Sequence, residues 1–456
     1  MALFDPDDPR PLHFVGIGGA GMSALALLAR RRGVRVTGCD PDPSGADDVA
    51  AAGAEVWPGH DPSHVEGARG VVVTAAVAPG HPELERARNL GLPVVPRKEA
   101  LAAFVAGGRT IAVAGTHGKT TTTAMTTEAL AGAGLAPTGI AGGRVSHWGG
   151  NARPGRDALF VVEADEYDRA FLALHPSVAV ITNVEADHLE IYGTLEAIEE
   201  AFVEFAGRAG RVIACADDAG AERVAGRLGV PVWRYGTTAG ADLAIGSVRQ
   251  GPDGSRAEFR LPDGTAAELR LRVPGLHNVR NAAAALAAAL AVGADRDRAL
   301  AALAAFPGVG RRFERLGDVG GVSVVDDYAH HPTELVATLA AARQAYPGRR
   351  LVAVFQPHLF SRTQAHGDAM GQALAAADLV IVTEIYAARE RPVSGVSGRL
   401  VADAASAAGA EVRFVPLRAD LTREVADVLR PGDVVLTLGA GDITRAGHEL
   451  VAWLAA

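Results

Sequence analysis

The chain has little cysteine and few aromatic residues, and it lacks both a clustered basic run and an apolar stretch of membrane-spanning length. Its two cysteines, Cys39 and Cys215, lie far apart with no CxxC spacing, which argues against a disulfide framework and against a zinc site. A formal net charge of -9 without grouped Lys or Arg disfavours a sequence-independent grip on nucleic acid phosphates. Anionic ligands would have to be held by local nests of backbone amides. The apolar stretch from Gly16 to Ala29 is interrupted by glycines and ends at Arg30, Arg31 and Arg32, too short to span a bilayer. The N-terminus, MALFDPDDPRP, is acidic and Pro-rich where an export signal is basic and then apolar. These absences predict a cytoplasmic protein in a reduced compartment, with neither nucleic acid nor membrane as partner.

What is present is globular. Hydrophobic residues make up 48% and charged residues 21% of 456 residues, enough chain for roughly two to four domains, each with its own core. Strand-like apolar runs alternate with helix-like runs almost throughout, the pattern of parallel sheets with crossover helices. We read the fold class as α/β, with three units in series: residues 1–106, 107–306 and 307–456. Gly107-Gly108 and Pro307-Gly308 mark the joints. Between Asp242 and Pro274 the pattern changes to alternation with two DG turns, which predicts antiparallel hairpins.

The first unit opens on FVGIGGAGMSALALLARRRGVRVTGCD, a strand, three spaced glycines, a helix, a second strand and Asp40. Gly16, Gly18 and Gly21 permit a tight turn, close approach to a pyrophosphate and close helix packing. By itself this fingerprint also fits a nicotinamide-dependent oxidoreductase. The second unit opens on TIAVAGTHGKTTTTAMTTEAL, an apolar strand, a Gly-containing loop and an immediate helix whose positive end faces the loop. That is an anion cradle. Lys119 supplies a cation for β- and γ-phosphates and the Thr120 hydroxyl can ligate a bridging Mg²⁺. The loop is short, G-T-H-G-K-T, because Val113 stands where the longer form has glycine.

Such a metal needs oxygen ligands, and FVVEADEYD offers Glu163, Asp165, Glu166 and Asp168 at a strand end. Glu163, first after the apolar run, is the best candidate, and the others read as a solvated loop. The next strand ends with Asn183, Asp187 and His188 near the same sheet edge, where position favours a second metal or phosphate contact for His188. Asn278 and Asn281, three apart in GLHNVRNAAAA, share one helix face and read equally as an N-cap with a polar face. VVDDYAHHPTE carries Asp326, Asp327, His330 and His331. Adjacent histidines rarely direct both rings at one ion, and no H-x₃-H partner is near, so zinc is not expected there.

Taken in order, GTHGKTTTT, EADEYD, TNVEADHLEIYG, HNVRNAAAA, GVGRRFE, DDYAHHPTE and FQPHLFSRT resemble the Mur ligases of peptidoglycan synthesis, across essentially the whole chain and most of all their alanine-adding members. The resemblance implies a Rossmann-like N-terminal domain for a UDP-sugar, a central P-loop ATPase domain and a Rossmann-like C-terminal domain that swings to close the site. It implies ATP-dependent ligation of L-alanine to UDP-N-acetylmuramate through an acyl phosphate. The products would be UDP-N-acetylmuramoyl-L-alanine, ADP and phosphate.

Carried onto this sequence, the resemblance puts Gly16, Gly18, Gly19, Gly21, Met22, Ser23 and Asp40 at the UDP-sugar. Gly115, Thr116, His117, Gly118, Lys119, Thr120 and Thr121 would surround the ATP phosphates, with Lys119 on the γ-phosphate. Thr120 and Glu163 would hold one Mg²⁺ and His188 a second. Asn278 and Asn281 would lie at the adenine side, Arg312 at the phosphates or ribose and Asp327 at the ribose. His330 would contact substrate, and His358 and Arg362 would form the amino-acid pocket. Tyr167 departs from the Ser common in alanine-adding members and also occurs in murein-peptide ligases, which join a recycled peptide to the same sugar nucleotide. HLEIYGTLEAIEEAF contains no Lys to match the carbamylated lysine of some relatives. Monomer and homodimer are both compatible with the sequence. A nicotinamide-dependent oxidoreductase would leave GTHGKTTTT without a use.

Overall fold

Three sheets organise the chain. The computed structural model describes residues 3–78, 80–388 and 390–456. In the first sheet β1 (Leu12–Val15), β2 (Val36–Asp40), β3 (Glu55–Pro58), β4 (Gly70–Val73) and β5 (Val94–Pro96) run in the order β3-β2-β1-β4-β5, all parallel. The order reverses beside β1, and a reversal of this kind leaves a crevice at the strand C-termini. The glycine loop opens there. It leads into the helix Ala20–Arg31, which buries Met22, Leu25 and Leu28 and ends on Arg30 and Arg31, cations that complement the helix dipole. Leu25 is 1% exposed, and truncating it to Ala would cost about 2–5 kcal/mol.

The second sheet contains β6 (Arg109–Ala114), β7 (Thr138–Val145), β8 (Gly150–Arg153), β9 (Leu159–Glu163), β10 (Val178–Ile181), β11 (Arg211–Cys215), β12 (Val232–Gly236), β13 (Leu243–Gly251), β14 (Gly254–Arg260) and β15 (Ala266–Leu271). Its order is β15-β14-β13-β12-β11-β10-β6-β9-β7-β8. The strands β6, β9, β10 and β11 are the buried Val/Ile/Ala runs visible in the sequence, parallel to one another and covered on both faces. The sequence reading passed over β7, β8 and β12, whose TGIAGGRV, GNAR and VWRYG carry glycines or polar residues that hide the pattern. The expected hairpin region forms the neighbouring strands β13, β14 and β15, turning at Gly254 (φ +104°) and Gly264 (φ +82°).

The third sheet, β16 (Glu314–Val319), β17 (Val322–Asp327), β18 (Leu351–Phe355), β19 (Leu379–Val382), β20 (Val412–Phe414) and β21 (Val434–Leu438), has the order β16-β17-β21-β18-β19-β20. Only β16, missed in the sequence, is antiparallel, with a register shift between Arg315 and Gly317. Separate apolar clusters fill its two faces.

The chain divides into two compact units. One holds Met1–Gly246, Glu258–Leu269 and Arg280–Phe306, the other Ser247–Ala257, Arg270–Val279 and Pro307–Ala456. No helix among the described residues is long and apolar enough to cross a membrane.

Candidate active site

In the first unit, β6 delivers the chain to Gly115 and Gly118, at φ +142° and +80°, conformations that a side chain disfavours. A Cβ on Gly115 would run into Thr182 Oγ1, and one on Gly118 would come within 2.8 Å of Asn281 Oδ1. The loop between them is shaped from the end of β10. Asn183 accepts from Thr116 N through its backbone oxygen (3.0 Å) and from His117 N through its side chain (2.7 Å). Thr182 Oγ1 and Asn183 Nδ2 donate to His117 O at 2.6 and 3.1 Å. Sequence spacing had placed Asn183 at this edge, and its work in the structure is to hold the loop open.

The helix Lys119–Gly132 begins directly after Gly118 with no side-chain cap. The first amides of a helix have no partner inside it, so this end keeps its donors and its positive dipole for an anion. Of the threonine run, Thr120 and Thr121 stand next to the loop, while Thr126 and Thr127 donate back to Thr122 O and Thr123 O inside the protein.

Lys119 Nζ donates to Gly115 O (2.7 Å), Thr116 O (3.3 Å) and Glu166 Oε1 (2.7 Å). Burial opposes its charge, but the carboxylates of Glu166, Asp165 and Glu163 outweigh burial and raise its pKa. Glu166 corrects the sequence reading of a solvated loop, being only 4% exposed. Its Oε2 is buried and, among the described residues, has no hydrogen-bond partner. The chain is turned inward here by the segment Tyr167–Ala173, in which Asp168 and Arg169 take φ of 52° and 51°, and Tyr192 Oη pins Glu166 O at 2.6 Å. The other two acids are tied as well. Asp165 Oδ2 meets Arg97 Nη2 at 3.5 Å and Asp168 Oδ2 meets Lys98 Nζ at 3.0 Å. Lys98 and Lys119 are the chain's only lysines, and both face this acidic loop, a signal the sequence already held.

Thr120 and Glu163 are brought together as expected, with Thr120 Oγ1 donating to Glu163 Oε1 at 3.1 Å. Gly142 of β7 donates its N–H to Glu163 Oε2 at 2.5 Å, an approach that a Cβ at Gly142 would block. A hydroxyl and a carboxylate at the mouth of a phosphate loop form an oxygen donor set that fits Mg²⁺. The uncapped helix end, the Lys119 ammonium and the orphaned Glu166 oxygen fit a metal-bound polyphosphate beside it. His188, at φ +54°, lies between the carboxylates of Asp187 (3.7 Å) and Glu190 (3.6 Å) and edge-on to Tyr167. Among the described residues none of its hydrogen bonds or ion pairs is to Thr120 or Glu163.

The glycine loop after β1 is built from within. Gly16 N and Ile17 N donate to Cys39 O, Gly18 N donates to Asp40 Oδ2 at 3.0 Å, and Asp40 Oδ1 accepts from Asp42 N at 3.0 Å. Asp40 therefore shapes the loop it was expected to complement. Gly19 N donates to Gly16 O, and a Cβ on Gly21 would meet Arg97 Nη1 at 2.7 Å. Met22 and Ser23 face the interior, where Ser23 Oγ accepts from Asn151 Nδ2 at 3.2 Å.

In the second unit, Asp327 at the end of β17 accepts from Phe313 N (2.7 Å), Ala329 N (2.8 Å) and Thr338 Oγ1 (3.3 Å). Burial pushes its pKa up to about 6, against the pull of Arg312. Arg312 lies over the Tyr328 ring at 4.8 Å and 3.8 Å from Glu334. Its neighbour Arg311 bonds Asp326, Gly439 O and Gly441 O. His330 and His331 diverge. His330 contacts Tyr328 O (2.9 Å) and stands 6.1 Å from the His358 ring, while His331 caps the helix Pro332–Ala345 and packs on His366. His358 stacks on Tyr386 and meets Arg362 at 3.4 Å, so His330, His358 and Arg362 do converge. Asn278 Nδ2 donates back to Pro274 O at 2.7 Å, whereas Asn281 in the first unit faces Gly118.

Known families match all three sheets. Residues 11–109 match the model described as Mur ligase family, catalytic domain, residues 113–289 the Mur ligase middle domain, and residues 311–441 the Mur ligase glutamate ligase domain. A UDP-N-acetylmuramate–L-alanine ligase of Cutibacterium acnes is 46% identical, over 100% of this chain and 98% of its own. One from Kineococcus radiotolerans is 48% identical, over 97% of this chain and 96% of its own. Among solved structures, a UDP-N-acetylmuramate-alanine ligase of Thermotoga maritima matches with a TM-score of 0.84 at 30% identity, covering 97% of this chain and 99% of that one. A murein peptide ligase of Psychrobacter arcticus matches with a TM-score of 0.73 at 28% identity, covering 98% of this chain and 99% of that one. Phosphate loop, acidic strand end and full-length likeness lead to one conclusion: the chain belongs to the Mur ligase family.

Proposed function

We propose that this protein joins L-alanine to UDP-N-acetylmuramate in the cytoplasm, at the expense of ATP, through an acyl phosphate. The observation that carries the reading is the uncapped helix end at Gly118, with Lys119, Thr120 and Glu163 gathered around it. Phosphoryl transfer asks mainly for position and for charge placed in advance, and these groups supply both. Lys119 exchanges its loop carbonyls for the γ-phosphate as that group passes to the sugar's carboxylate, and the loop amides hold the neighbouring phosphates. A Mg²⁺ between Thr120 and Glu163 would offset phosphate charge. Glu166 keeps Lys119 protonated and aimed.

On this reading the glycine loop after β1 receives the UDP pyrophosphate, with Asp40 keeping its amides in place. Asp327 and Arg312 serve the nucleotide. Arg362, oriented by His358, clamps the alanine carboxylate, and a guanidinium can do so with two parallel hydrogen bonds. His330 stands beside that pair. Domains of residues 1–106, 107–306 and 307–456 would divide these tasks.

The test is phosphate release with UDP-N-acetylmuramate, ATP and Mg²⁺ against a panel of acceptors. Alanine-dependent release with formation of UDP-N-acetylmuramoyl-L-alanine is expected. Release with a tri- or tetrapeptide alone would favour the peptide-ligase reading, for which Tyr167 and the likeness to the P. arcticus protein speak. The full-length relatives at 46–48% identity named as alanine ligases speak for alanine.

A further inference from the structure

Beneath the first sheet, away from the phosphate loop, three side chains from separate elements meet. His13 of β1, Cys39 of β2 and Glu83 of the helix Pro82–Asn89 are each 0% exposed, and one ligand atom from each lies within 4.8 Å of the others. His13 Nε2 is 3.6 Å from Cys39 Sγ and 3.6 Å from Glu83 Oε2, and Cys39 Sγ is 2.9 Å from Glu83 Oε2. A fourth group approaches from the loop after β3. His60 Nδ1 is 3.2 Å from Cys39 Sγ and 3.7 Å from Glu83 Oε1, and its side chain is 22% exposed.

The surroundings orient these groups. Thr37 Oγ1 holds the far ring nitrogen of His13 at 2.9 Å, turning Nε2 toward the thiol. Asp61 N and His64 Nδ1 each bond Glu83 Oε1 at 2.9 Å, and Trp57 stacks on His64 at 4.7 Å. Partners of this kind behind a ligand set are what fix ring orientation in metal sites. Cysteine spacing could not reveal the group, because its members lie on different strands and a helix.

We propose that His13, Cys39 and Glu83 form a structural site for a divalent metal of the zinc type, with His60, carried on its loop, closing in as the fourth ligand when the ion binds. One thiolate, one carboxylate and two imidazoles suit Zn²⁺. On binding, Sγ loses its proton to solvent and forms the metal–sulfur bond, while both imidazoles bind neutral. Two buried negative charges are then balanced by the ion's two positive ones, so neither is left uncompensated. The ion ties β1 and β2 to the helix Pro82–Asn89 just before Asp40, whose carboxylate shapes the glycine loop.

The test strips the full-length protein of metal with a chelator and titrates it with Co²⁺ in the absence of nucleotide. Thiolate-to-cobalt charge-transfer absorption should rise to saturation at one equivalent per chain and be displaced by Zn²⁺. It should be lost in Cys39→Ser and kept in Cys215→Ser. Glu83→Gln and His13→Gln should weaken Co²⁺ binding by about tenfold or more. Cobalt at Thr120 and Glu163 would give no such band, having only oxygen ligands. A wild-type protein without the band, or a band that survives Cys39→Ser, overturns the proposal and leaves a hydrogen-bonded polar core. The wild-type spectrum decides even if Cys39→Ser does not fold.

Discussion

Lys119 Nζ and Glu166 Oε1 form a buried ion pair at 2.7 Å, with side chains 14% and 5% exposed. Breaking such a pair from one side strands the other charge, at about 3–5 kcal/mol. Glu166→Gln and Lys119→Met should therefore each destabilise the protein, and the double variant should lose clearly less than their sum. Denaturant melts of the four proteins measure this coupling. Additive losses would mean that the pair does not form. Phosphate release should separate the partners, since Lys119→Met removes the cation at the reacting phosphate and costs about a hundredfold or more in turnover.

Gly118, like Gly115, is a loop position that accepts a side chain poorly. In Gly118→Ala the methyl would press on Asn281 Oδ1 in a left-handed conformation, costing about 1–2 kcal/mol from the backbone alone. The expected result is a raised KM for ATP with a smaller change in KM for the sugar nucleotide. Equal rises in both constants would show that the loop does not act locally.

Thr120 and Glu163 share one hydrogen bond and one proposed ion. Thr120→Val and Glu163→Gln should both raise the Mg²⁺ concentration needed for half-maximal phosphate release, Glu163→Gln the more because it removes charge. His188→Gln separates the two expected metal contacts. Its bonds are to Asp187 and Glu190, so its Mg²⁺ requirement should shift less than that of Glu163→Gln. A larger shift would bring His188 into the metal's coordination.

Asp327 makes stability depend on pH with an unusual sign. Its pKa is raised from 3.8 to about 6, so between these values the folded state holds a proton that the unfolded state has released. Stability contributed by this group therefore falls as pH rises through the window. Above pH 6 the cost is complete, about 3 kcal/mol. In urea melts from pH 4 to 7 the unfolding free energy of wild type should fall relative to that of Asp327→Asn by about this amount. Parallel curves would show that Asp327 is ionised throughout.

The sequence by itself determined the α/β class, the buried strands β6, β9, β10 and β11, the phosphate loop and its Lys119-Thr120 pair. Those signals are local, because an apolar run, a glycine turn and a helix start follow from neighbouring residues along one stretch of chain. It also foretold that Thr120 would meet Glu163, since both close strands or loops at one sheet edge. Glu166 was misread because nothing in EADEYD tells a solvated acid from a buried one. That difference rests on Asp168 and Arg169 in left-handed turns and on the Tyr192 hydroxyl, which comes from a later segment. The tie from Asp40 to Gly18 and Asp42 was not visible along the chain, and His13, Cys39 and Glu83 gave no pattern at all. Only tertiary structure decided these, because burial and convergence are properties of which elements pack together, and residues as far apart in sequence as His13 and Glu83 become neighbours only when the sheet is assembled.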